Sequence, residues 1–144
     1  MHYTTHSAAE TEALAEQLLS EILNKRVVQL SGNLGSGKTT FVKGLAKALG
    51  IEKAVKSPTY TYVQSYQLPT TNYQLLWHFD LYRLPESSEY PDQVAASIGL
   101  EDALNDPTAL VLIEWPERLP IKTSTLLLQF EKKQNHHGIH SELQ

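Results

Sequence analysis

Between residues 7 and 24, "SAAETEALAEQLLSEILN", the apolar positions Leu14, Leu18 and Ile22 recur at every fourth residue, which predicts an amphipathic helix with one face toward a core. Ser7 stands three residues before Glu10, the spacing of a capping box, and marks the start of that helix. "KRVVQLSG" then reads as a short apolar strand bounded by glycine. In "KTTFVKGLAKALG", Phe41, Val42, Leu45, Ala46 and Leu49 fall at helical spacing before Gly50. Strand, glycine-rich turn and helix follow one another in that order.

Further along, "TYTYVQSYQL" and "NYQLLWHFDLY" are rich in aromatic and β-branched residues, and with only "PTT" between them they predict an antiparallel hairpin. Period-two alternation in the second arm puts Leu76, His78 and Asp80 on one face, with Leu75, Trp77, Phe79 and Leu81 on the other. "YPDQVAASIGLEDALNDP" predicts two short helical pieces broken at Gly99 and stopped by Pro107. "LVLIE" is a strand ending at Glu114, and "STLLLQFEKK" reads as the last strand. No internal repeat or domain boundary is visible. The expectation is a single domain over residues 1–144.

With 144 residues and 41% apolar composition, such a domain would bury roughly 68–70% of its unfolded surface. No apolar stretch approaches the ~20 residues of a membrane span, and the N-terminus lacks a basic start and an apolar stretch after it, so a cytoplasmic location is expected. The absence of cysteine removes disulfides, thiolate metal sites and cysteine nucleophiles together. A net charge of −4 without a dense lysine block argues against direct, tight binding of nucleic acid.

"GNLGSGKT", Gly32 to Thr39, matches the P-loop pattern G-x-x-x-x-G-K-[ST]. Gly35 and Gly37 let backbone amides converge on phosphate oxygens, and the helix N-terminus behind them favours an anion. Lys38 is placed to reach phosphates and is expected to stand in solvent; the Thr39 hydroxyl is placed for Mg2+. Such a site also needs an acid at a strand end. Asp80 and Glu114 are the two acids that directly end apolar strand-like runs. Glu114 is the better Mg2+ candidate, because its strand is the more uniformly apolar and so the more central. Asp80, on a hairpin arm nearer one side, suits water positioning or conformational coupling. In "KSPTYTYV", Thr59 is a loop hydroxyl suited to sensing a γ-phosphate. His78 reads as a packed or surface imidazole rather than a base. The tail "NHHGIH" does not read as a metal site, since Gly138 spoils a helical histidine pair and no carboxylate set surrounds it. Trp115 is singled out because it adjoins Glu114.

Together, "SGNLGSGKTTFVKGLAKALGI", "VKSPTYTYV", "HFDLYRL", "IGLEDAL" and "LVLIEWPERL" resemble the TsaE family, small bacterial ATPases needed for threonylcarbamoyladenosine formation in ANN-decoding tRNAs. The resemblance spans residues 31 to 119. It implies an α/β, P-loop NTPase-like three-layer fold with a mixed sheet, a parallel core plus the antiparallel hairpin. It implies ATP held by Gly35, Ser36, Gly37, Lys38, Thr39 and Thr40, with Thr11 of the first helix close to the nucleotide, and Mg2+ held by Thr39 and Glu114. Asp80 is implied in activity, and Thr59 in a switch-like loop. TsaD- and TsaB-like proteins are the implied partners, reset by ATP hydrolysis, with tRNA reached only through that complex and little activity alone. Two departures stand out: Asn33 replaces a common aspartate, and the tail after Phe130 lacks the family's usual Gly-Arg element, so no nucleotide contact is assigned there.

Two other readings compete. A small-molecule P-loop kinase would clamp phosphates with several arginines, and this chain has only Arg26, Arg83 and Arg118. A nucleotide-sensing adaptor would bind ATP and a protein with little hydrolysis.

Overall fold

The computed structural model describes residues 1–52, 62–69, 71–84, 91–119, 123–134 and 136–143. Among the described residues seven strands form one mixed sheet in the order β1-β7-β6-β2-β5-β4-β3. The strands are β1 His2–Thr5, β2 Val27–Ser31, β3 Val63–Gln67, β4 Leu75–Asp80, β5 Ala109–Glu114, β6 Leu126–Lys132 and β7 His137–Leu143. β6, β2, β5 and β4 run parallel, as expected for the core of the sheet. Antiparallel pairs finish both sides: β3 on β4 at one edge, and β7 and β1 beyond β6 at the other.

Helices cover both faces, and the alternation of side chains decides which residue meets which layer. α1 (Ala8–Gln17), α2 (Leu19–Lys25) and α3 (Lys38–Ala48) lie on one face, where Leu14, Ile22, Phe41 and Leu45 pack with Leu76, Leu110, Leu112 and Leu128. α4 (Pro91–Ser97) and α5 (Leu100–Asn105) serve the other, where Leu100 and Ala103 meet Phe79, Leu81, Val111 and Ile113. β5 therefore has all six residues buried, the pattern of a strand with both faces covered. The predicted hairpin forms with Tyr66 opposite Leu76, and Gly99 separates α4 from α5.

Three expectations need correction. The single N-terminal helix is two, α1 and α2, meeting at Leu18, whose amide still donates to the Leu14 carbonyl at 2.9 Å. Ser7 Oγ accepts the Glu10 amide at 3.1 Å as the capping box predicts, but the Glu10 carboxylate accepts from the His6 amide, one residue before the cap. β6 is not the last strand. "HGIHSEL" adds β7 beside it, and the four residues His2–Thr5 pair with β7 as a strand too short for any periodicity to announce.

Arg26 follows α2 with a positive φ of 66° and sends its guanidinium to the carbonyls of Leu104, Asp106 and Ala109 at 2.5, 2.8 and 3.1 Å. It secures the end of α5 to the start of β5. Among the described residues no helix is long and apolar enough to cross a membrane.

Candidate nucleotide site

β2 delivers the chain into the glycine-rich loop, and α3 begins at Lys38 immediately behind it. Gly32, at φ +143°, lies so close to β6 that a Cβ there would come 2.5 Å from the Phe130 carbonyl. Only glycine permits this exit from the strand. The Ser36 amide donates to the Asn33 carbonyl at 3.2 Å and closes the loop. A cavity of about 330 Å3 opens over the N-terminus of α3. Gly35, Ser36, Gly37, Lys38, Thr39 and Thr40 line it, joined by Thr11 from α1 and by Asp80 and Glu114 from β4 and β5. Thr59 lies outside the described residues. Every other site residue named from the sequence thus comes to one cavity.

Lys38 is not solvated. It is 6% exposed, donates to the carbonyls of Gly32 and Asn33, and holds its ammonium 4.1 Å over the Trp115 ring. Burial holds its pKa below the ordinary lysine value, against the attraction of Glu114, Glu117 and Asp80. Thr39, one residue on, is exposed. Carbonyls and an aromatic face are substitutes a cation accepts until a stronger anion is offered.

The strand-end acids reach the cavity by parity. Leu110 and Leu112 face α3, so Glu114 does too; Leu76, His78 and Asp80 share that side on β4, and Asp80 lies directly opposite Glu114 in the register. Glu114 is 3% exposed, and His78 Nε2–H donates to its Oε2 at 2.6 Å. Of the packed and surface places open to His78 the fold takes the packed one, and there its ring holds the acid. Asp80 is half-buried and its Oδ1 accepts the Tyr82 amide at 3.0 Å. Burial raises its pKa above the usual carboxylate value, with the Glu114 charge adding to the rise and the Tyr82 amide, His78 and Lys38 opposing.

A carboxyl with a raised pKa binds its proton more tightly in the folded protein than in the unfolded chain, so its ionisation costs stability. That cost is present at neutral pH and vanishes as pH falls through the raised pKa toward 3.8. Asp80→Asn keeps the acceptor for Tyr82 and removes the charge. It is expected to raise Tm at about pH 7, by a gain on the order of half a kcal/mol after solvent screening. The gain should shrink toward pH 4 in a series of thermal melts; a variant less stable than the parent at neutral pH contradicts the burial argument.

Trp115 ends the strand with φ +59°, a conformation a bulky side chain adopts only when its surroundings hold it there. Its amide donates to the Leu30 carbonyl at 3.2 Å, Tyr82 packs at 4.9 Å between ring centroids, and Pro116–Arg118 form a 3-10 turn that leads the chain away. Sequence reasoning missed three participants. His78 was legible, since alternation alone puts it on the Asp80 face. Lys132 and His137 line the cavity from β6 and β7 and are opposite one another in register, a juxtaposition no local signal announces.

The residues fit a nucleotide with a hard cation. A loop that leaves its strand at a Gly32 with no room for a Cβ, a buried lysine held by carbonyls and a ring, and clustered hydroxyl and carboxylate oxygens are the donor set that phosphate and Mg2+ take.

The family model described as "Threonylcarbamoyl adenosine biosynthesis protein TsaE" matches residues 5–140. A Nostoc sp. protein named tRNA threonylcarbamoyladenosine biosynthesis protein TsaE is 41% identical over 114 residues, covering 76% of this chain and 65% of its own. The Haemophilus influenzae protein of that name is 40% identical, covering 72% and 61%, and the Aquifex aeolicus one 37%, covering 87% and 82%. The chain thus spans a little under two thirds of the first two. The crystal structure of YdiB from Bacillus subtilis is similar with a TM-score of 0.66 and 28% identity, over 96% of this chain and 82% of that one.

Proposed function

The chain belongs to the TsaE family, and from that premise we propose that it is a Mg2+-dependent ATPase serving threonylcarbamoyladenosine biosynthesis on tRNA, acting with TsaD- and TsaB-like proteins. One observation supports this above the others: Lys38, Thr39, Asp80 and Glu114, from three separate elements, line a single cavity at the N-terminus of α3.

The amides of residues 35–39 and the α3 dipole bind the phosphates. Lys38 leaves the Gly32 and Asn33 carbonyls for phosphate oxygens. The Thr39 hydroxyl and the Glu114 carboxylate would hold Mg2+, which when bound supplies charge neutralisation to the phosphates. His78 fixes the orientation of Glu114, as an outer partner does for a metal-binding acid. Asp80, nearer solvent and with its proton affinity raised, orients the attacking water or couples the cycle to a partner. Thr11, which lines the same cavity with its hydroxyl held 2.7 Å from that of Thr5, would stand close to the nucleotide, and Thr59 would sense the γ-phosphate. A kinase reading is weakened because Arg26, one of only three arginines, is spent on the carbonyls around α5.

A protein of net charge −4 reaches tRNA chemistry through partners that hold the RNA. Phosphate release measured alone and with a TsaD–TsaB pair tests the whole reading. Slow release alone, faster release on mixing, and tighter binding of the pair with ATP than with ADP are expected. Equal affinity in both nucleotide states with unchanged turnover defeats the partner-gated mechanism. ATP binding without hydrolysis under any condition favours the adaptor.

A further inference from the structure

His137 on β7 meets the glycine-rich loop across the full width of the C-terminal hairpin, its Nδ1 lying 2.9 Å from the Ser36 carbonyl. A carbonyl only accepts, so the imidazole carries its hydrogen on Nδ1 and donates it. The same ring packs on the bare Cα of Gly37, where an added Cβ would sit 3.5 Å from Nδ1 and 3.9 Å from Phe130 Cδ1. Behind it, Phe130 stacks edge-on against Phe41 of α3. His137 is paired on both sides, with Lys132 of β6 and Thr5 of β1, so its position is set by backbone ladders rather than by the loop it touches.

The consequence follows from peptide geometry. In a planar trans peptide the carbonyl oxygen and the next amide hydrogen point in opposite directions. Holding the Ser36 carbonyl toward β7 therefore points the Gly37 amide away from β7. Gly37 has φ +107° and no side chain, so rotating this peptide plane meets little local resistance, and the restraint has to come from outside the loop. We infer that His137 is a positioning residue for phosphate binding: by anchoring the Ser36 carbonyl it fixes the Gly37 amide toward the bound phosphates, and the C-terminal hairpin thereby sets nucleotide affinity.

This deepens the ATP reading and rests on it, so the test has one arm that needs no nucleotide. His137→Phe keeps the ring and drops the donor; His137→Asn places an amide N–H near the former Nδ1. Backbone 15N order parameters for residues 35–38 are expected to fall in His137→Phe without any ligand and to recover in His137→Asn. Calorimetric titration with ATP and with tripolyphosphate should weaken about fivefold in His137→Phe, the effect of losing one neutral hydrogen bond, and stay near the parent value in His137→Asn. Unchanged order parameters in His137→Phe, or an Asn variant as impaired as the Phe variant, overturn the anchor. A parent protein that binds neither ATP nor tripolyphosphate overturns the nucleotide reading itself, whatever the order parameters show, and with it the phosphate role of the Gly37 amide.

Discussion

Lys38→Ala should lower the affinity for ATP about a hundredfold, on the order of 3 kcal/mol, while moving Tm by no more than about 2 °C. The expected affinity loss follows from removing a buried ammonium that lines the cavity over the N-terminus of α3. The small change in Tm comes from two opposed effects. The ammonium gains bonds to the Gly32 and Asn33 carbonyls and the face of Trp115, but it is desolvated, as its lowered pKa registers. Exposure would also have made the substitution mild, for a different reason. The geometry adds a spectroscopic signature. Phosphate oxygens that draw Lys38 off the indole change its surroundings, so in a Trp77→Phe background Trp115 emission should shift with nucleotide. Lys38→Ala should abolish that shift. Affinity like the parent's in calorimetry, or an undiminished shift in Lys38→Ala, would count against the phosphate role.

Glu114→Ala carries the second large expectation: the Mg2+ dependence of ATP affinity disappears, with a loss of roughly tenfold to a hundredfold at saturating metal. It also strips His78 of its partner in a buried place and leaves Lys38 without its leading opposite charge, so about 1–3 kcal/mol of stability should go with it. Glu114→Gln separates the two consequences. The amide oxygen still accepts from His78 and preserves the packing, but the charge that holds a cation is gone. Stability near the parent's with lost Mg2+ dependence is therefore expected of the Gln variant. Asp80→Ala should do the reverse of Glu114→Ala, sparing metal-dependent binding and slowing turnover. Metal dependence that survives in Glu114→Ala and vanishes in Asp80→Ala would exchange the two roles.

The local rules of the chain were sufficient for a large part of this picture. A strand, a glycine-rich turn and a helix in sequence specify the loop, because glycine spacing and helical periodicity are properties of neighbouring residues. The same holds for the strand-end acids. Alternation along β4 and β5 puts Asp80 on one face with Leu76 and His78, and Glu114 on one face with Leu110 and Leu112; the register of the two strands makes it the same face, and packing puts α3 there. Arg26 is a different case: nothing near it in the chain hints that it serves carbonyls some 80 residues away.

What only the tertiary structure decided is who stands beside whom. The order β1-β7-β6-β2-β5-β4-β3 interleaves distant segments: it pairs the N-terminal four-residue strand with the last strand, and brings that last strand to the flank of the glycine-rich loop. Lys38 looked like a solvated side chain because lysine usually is one. Its burial depends on the carbonyl of Gly32, the strained turn at Trp115 and two carboxylates converging from other strands. His78 meets Glu114 across 36 residues, and His137 meets Ser36 across 101. Periodicity assigns a side chain to a face, but the partner it finds there is set by strand order and register, which arise from the packing of the whole sheet.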